Sequence, residues 1–115
     1  MSANVPASLV TAWSSGQIRL VDALGVPTEA LHAARALGER CLALGDFVRA
    51  EAIFSGLSVL DPTDPRPAVA LASLALERGL PEIALAWAER TLSLLPGDAA
   101  LNALAARARV AIALA

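Results

Sequence analysis

Apolar residues recur every three or four positions through most of the chain, the spacing that sets one face of an α-helix against a core. Between Ala7 and Leu24, Leu9, Trp13, Leu20 and Leu24 fall on one such face, and Gly25 supplies a stop. A second helix is predicted over Thr28–Leu44, opened by the run Pro27-Thr28-Glu29. Further helices are predicted over Phe47–Leu60, Pro67–Arg78, Pro81–Leu95 and Ala99–Leu114, the last with Asp98 as its N-cap. Gly16 weakens the first helix by about 1 kcal/mol against alanine and suggests a close crossing there. No segment alternates with the period of two that marks a strand. The predicted fold is therefore all-α, with about six antiparallel helices.

The chain also matches itself. Displaced by 34 residues, Leu37 falls on Leu71, Gly38 on Ala72, Gly45 on Gly79, Ala50 on Ala84, Leu60 on Leu94 and Pro62 on Pro96. Each position has a mechanical role. Gly38 and Ala72 are small enough to let two helices approach closely. Gly45 and Gly79 can take the left-handed conformation that ends a helix, and Pro62 and Pro96 stop the next one. The period and the spacing resemble the tetratricopeptide repeat (TPR), a pair of antiparallel helices that stacks into a solenoid. Ala34, Cys41, Ala68 and Ala75 stand where that repeat usually has aromatic residues. On this frame one domain covers 1–115: an N-terminal helix over 1–26, repeats over 28–62 and 65–96, and a terminal helix over 98–115.

Composition narrows the function classes. At 115 residues there is room for a single domain. The chain is 57% hydrophobic and 17% charged. Its apolar runs, such as Val69–Leu76 with its one serine, fall far short of the ~20 residues of a bilayer span. No basic residue precedes an apolar run between Met1 and Val10, so no secretory signal is expected. A net charge of −2 and the absence of lysine leave no basic footprint for nucleic acid. The single cysteine fits a reducing cytoplasm, and the bias toward alanine, arginine, leucine and glycine fits a bacterial genome.

Catalytic chemistry is not legible. His32, the one histidine, has neither an acid nor a nucleophile at a useful spacing and no second metal ligand beside it. Cys41 occupies an apolar position between helices and reads as a core thiol; a redox role for it is the enzyme-class rival. Asp61 and Asp64 read as a solvated acidic turn, and Trp13 and Trp87 as core. No enzyme activity, cofactor or metal site is expected.

What the pattern does offer is a face for a partner. In a stacked repeat the first helix of each pair lines the concave side. The residues off the packing stripe there are His32, Arg35, Glu39 and Leu42 on the second predicted helix. On the fourth they are Arg66, Val69, Ser73 and Leu76, and on the sixth Ala103, Arg107 and Val110. Apolar positions mixed with arginines suit an extended peptide, with Leu42 and Leu76 as anchors pointing away from the core. The last helix ends on Val110, Ile112 and Leu114 with almost nothing polar, so a partner or a second copy of the chain is expected to cover it.

One stretch carries a closer resemblance. The run Gly45-Asp46-Phe47 through Arg66, with Ala50, Ile53, Phe54, Leu57, Val59, Leu60, Asp61, Asp64 and Arg66 in register, resembles the TPR-type chaperones of bacterial type III secretion systems. The likeness extends over about Leu37 to Leu95. It implies a cytoplasmic chaperone that holds an aggregation-prone secretion subunit before export, as a homodimer or heterodimer. Members with three full repeats are longer than this chain. The alternative is a general TPR adaptor that scaffolds a stable complex. The carboxylate-clamp adaptors of heat-shock proteins fit poorly, because their clamp uses lysine.

Overall fold

A computed structural model describes residues 20–115, which form six helices and no strand. These are α1 (Leu20–Leu24), α2 (Thr28–Ala43), α3 (Phe47–Leu60), α4 (Pro65–Glu77), α5 (Pro81–Leu92) and α6 (Ala99–Leu114). Of the first predicted helix only its last turn, α1, lies within the described residues; Leu9, Trp13 and Gly16 lie outside them. From α2 onward each helix packs on the next, α4 also meets α6, and α1 touches α3. The radius of gyration is 15.2 Å, against about 13 Å for a compact domain of this length. Neighbour-on-neighbour packing has drawn the molecule out.

The helix ends show how the sequence sets these boundaries. Gly45 has φ 76° and Gly79 φ 72°, the left-handed region that a side chain makes costly. Behind Gly45, the Asp46 N–H donates to the Cys41 carbonyl at 2.9 Å and the Gly45 N–H to Leu42 at 3.1 Å. Behind Gly79, Leu80 donates to Ala75 at 2.8 Å and Gly79 to Leu76 at 3.1 Å. Both are Schellman closures, which satisfy carbonyls a helix end would otherwise leave open. They use the same positions 34 residues apart.

The starts repeat as well. Asp64 accepts from the Arg66 N–H at 3.0 Å and Asp98 from the Leu101 N–H at 2.9 Å, each capping the helix that follows. Because Asp64 caps, α4 begins at Pro65 and not at the expected Pro67. Proline is well placed there, since its missing N–H is one of those a first turn leaves unpaired. Asp64 is thus more than a solvated loop residue, and its 34-residue match to Asp98 was the signal for it. At the other end, α5 stops at Leu92 and not at Leu95, because the Leu94 N–H turns to the Thr91 carbonyl, three residues back, and the Arg90 carbonyl it would have met accepts from the Ser93 hydroxyl. Leu44 lies just past α2 as its C-cap.

The core is built in three patches along the stack. Cys41, Ala50, Phe54, Leu57 and Leu71 join α2, α3 and α4. Ala72, Ala75, Ala84, Leu104 and Ala108 join α4, α5 and α6, and Ala68, Ala88, Leu101 and Ala105 make a second contact among the same helices. Gly38 fits its expected role: a Cβ there would come within 2.9 Å of Phe54 Cζ and 3.2 Å of Ile53 Cγ2. The self-match does not carry over everywhere. Leu71 is 3% exposed but Leu37, its counterpart, is 51% exposed. Leu71 meets α3, and no described helix meets Leu37 in the same way. Among the described residues no buried side-chain nitrogen or oxygen lacks a hydrogen-bond partner.

Candidate functional site

α4 explains most of what becomes of the expected partner face. It has three helical neighbours, so nearly its whole circumference is occupied, and only Arg66 and Glu77 are exposed along it. Val69 packs against both α4–α5–α6 patches and Leu76 against one of them. Leu42 packs against the patch around Phe54. These three side chains are therefore half-buried parts of the core, contrary to the expectation that Leu42 and Leu76 point away from it. The one-stripe picture of an amphipathic helix assumes one packed side, and a helix with several neighbours spends its second side as well. Ser73 is half-buried, and Glu39 stands exposed further along α2. Ala103, Arg107 and Val110 are exposed on α6.

Three of the expected residues do come together. His32 and Arg35 from α2 and Arg66 from α4 line a cleft of about 160 Å³ where, among the described residues, α1, α2, α3 and α4 meet. Its apolar wall is Val26, Leu31, Leu57 and Pro67, and Asp22, Asp61 and Asp64 add carboxylates. The three positions converge because α2 presents one helical turn to the spot where α3 ends and α4 begins.

The charges around the cleft are arranged in order along its rim. Arg66 holds Asp64 in a fork, with Nε on Oδ1 at 2.9 Å and Nη2 on Oδ2 at 2.8 Å. Burial alone would raise the Asp64 pKa, but the Arg66 side chain and N–H, its charge and that of Arg35 together hold it below the ordinary value. Asp61 takes the Thr63 hydroxyl at 2.7 Å and the Thr63 N–H at 3.2 Å, which fixes the turn. Arg35 is different. It is half-buried, and among the described residues it makes no hydrogen bond or ion pair. Its charge acts on Asp64 across the cleft, while its N–H groups stay available for a carboxylate brought by something else.

The remaining candidates read as structure. Cys41 is buried and unpaired, 7% exposed within the Phe54 patch. Trp87 packs between two core patches, with the Arg90 guanidinium 5.6 Å from its ring centroid. Among the described residues no three His, Cys, Asp or Glu side chains are grouped so as to hold a metal ion, and no helix is long and apolar enough to cross a membrane. No protein-family model, no curated protein and no solved structure matches this chain.

Proposed function

We propose that this chain is a helical-repeat protein of the tetratricopeptide type that holds a segment of another polypeptide, with the cleft at His32, Arg35 and Arg66 as its polar anchor. The carrying observation is the meeting of three expected partner-binding residues at this cleft, where Arg35 is half-buried and makes no hydrogen bond or salt bridge among the described residues. The repeat reading is supported by the closures at Gly45 and Gly79 and the caps at Asp64 and Asp98, which recur at the 34-residue spacing. An acidic side chain or a C-terminal carboxylate on the partner meets Arg35, and the wall of Leu31, Leu57 and Pro67 accepts the carbon atoms behind it.

The more specific form of this proposal is a cytoplasmic chaperone for a type III secretion subunit. Its support is the resemblance over Ala50 to Arg66. In the fold, Ala50, Phe54 and Leu57 of that run serve the core, while Asp61 and Asp64 shape and cap the turn. The run thus speaks more for the repeat than for the client, and an adaptor in a stable complex is the competing form.

The test is capture from the native host by the full chain and by three variants. Arg35→Glu should lose the captured partner at least about tenfold, as expected for a charge-assisted hydrogen bond. Arg35→Lys should recover part of it, and Ala86→Glu, on an exposed face of α5, should bind as the parent does. Equal capture by Arg35→Glu and the parent would remove the cleft from the proposal. A partner that aggregates without this chain and is later exported supports the chaperone; a folded, permanent partner supports the adaptor.

A further inference from the structure

His32 and Arg35 stand about one helical turn apart on α2, which sets them on the same face. Both line the cleft. Arg66 lines it too, but its guanidinium is committed to Asp64. His32 is exposed, and among the described residues it makes no hydrogen bond or ion pair. A proton taken up on its imidazole therefore breaks no contact among those residues.

Charges reach the imidazole from every element around it. α1 brings Asp22, and α2 brings Arg35 within the cleft and Glu29 one turn earlier. Asp61 closes α3, and α4 adds Arg66 behind its cap, Asp64. With the imidazole neutral, the lining sets three aspartates against two arginines, an excess of one negative charge. Protonation of His32 balances it. A carboxylate entering to meet Arg35 thus faces net repulsion in the first state and none in the second. Histidine is the one side chain whose charge ordinarily changes between about pH 5 and 8, whereas aspartate, glutamate and arginine ordinarily hold theirs across that interval.

We infer that His32 makes the cleft pH-sensitive, gripping a partner's carboxylate when protonated and loosening it when neutral. The inference rests on the cleft reading above and adds a second control to it. Arg35 sets whether a carboxylate binds, and His32 sets the pH at which it binds well.

The experiment titrates the full chain with an acetylated, amidated peptide that carries one glutamate between leucines, at about pH 5.5, 6.5 and 7.5. Binding is read from the backbone amide signals of the full chain by NMR. The Kd should fall about three- to tenfold from the highest pH to the lowest, the size of one added charge near a protein surface. His32→Gln should keep the weaker affinity at all three pH values, and His32→Arg the tighter one. Position 32 is exposed, so circular dichroism of both variants should match the parent. A parent whose Kd does not change with pH, while Arg35→Glu still weakens binding, would overturn the switch and leave the cleft reading standing. A pH trend that persisted in His32→Gln would overturn it as well, because another group would then carry the proton. If Arg35→Glu bound the peptide as the parent does, or the parent bound none at any pH, the cleft reading would fall and the switch with it.

Discussion

Two glycines within helices make opposite predictions. At Gly38 an added Cβ meets the Phe54 ring at 2.9 Å, whereas at Gly56, exposed on α3, it meets nothing within 4 Å. Gly56→Ala should therefore stabilise the protein by about 0.5–1 kcal/mol, through helix propensity alone. Gly38→Ala gains the same propensity, but overpacking costs about 1–3 kcal/mol, so the net effect should be destabilising, and Gly38→Leu should be worse. Urea midpoints for the three variants check this, and a stabilising Gly38→Ala would mean that Phe54 moves aside freely. The thiol of Cys41 gives a second test at this scale. Packed against Phe54 and Leu71, it should resist alkylation in the native protein and react fully in denaturant; fast native labelling would revive the redox rival. Both residues were legible in the sequence because each sits at a repeat position with a fixed mechanical demand. The exposure of Leu37 was not, since the self-match aligns positions without saying which neighbours each will find.

Among the elements, the start of α4 is the most informative. Asp64 caps it, is forked by Arg66 and is less than a quarter exposed, at 22%. Removing the cap with Asp64→Ala should cost about 0.5–2 kcal/mol. The Arg66 side chain is 60% exposed, so Arg66→Ala should cost less than the cap does. The pH dependence has a definite sign. The folded-state pKa of Asp64 lies below the ordinary aspartate value of 3.8. Its contribution is thus present above that value and is lost as the pH falls through the lower, folded-state pKa. Stability measured from pH 5 down to pH 2 should fall less steeply for Asp64→Ala than for the parent, and parallel curves would contradict the shift. The acidic turn could be read from sequence as polar, but its job appears only in the pairing of Asp64 with Asp98, one repeat apart. The ends of α2 and α4 were easier, because Gly45 and Gly79 announce the left-handed closure directly.

For the molecule as a whole, α4 is the hub: it meets α3, α5 and α6, and Leu71 and Ala72 on it belong to different core patches. That is why the expected groove anchors are half-buried against the core and do not point away from it. Leu42, Val69 and Leu76 carry the right residue types for a binding face, but tertiary packing had first claim on them. Of the expected face, Glu39, Ala103, Arg107 and Val110 stay exposed, and His32, Arg35 and Arg66 line the cleft. A stack joined through one helix should unfold in a single step when that helix is undermined. Leu71→Ala, at a site 3% exposed, should cost about 2–5 kcal/mol, and Leu114→Ala, 81% exposed, should stay within about 0.5 kcal/mol of the parent. Trp87 sits between two of the patches, so its fluorescence, read in a Trp13→Phe background, reports on the middle of the stack while far-UV circular dichroism reports on all the helices. In Leu71→Ala both signals should move to lower urea together. If the helical signal persisted after the Trp87 signal was lost, the two ends would be folding independently and α4 would be a spacer between them, not the element that couples them.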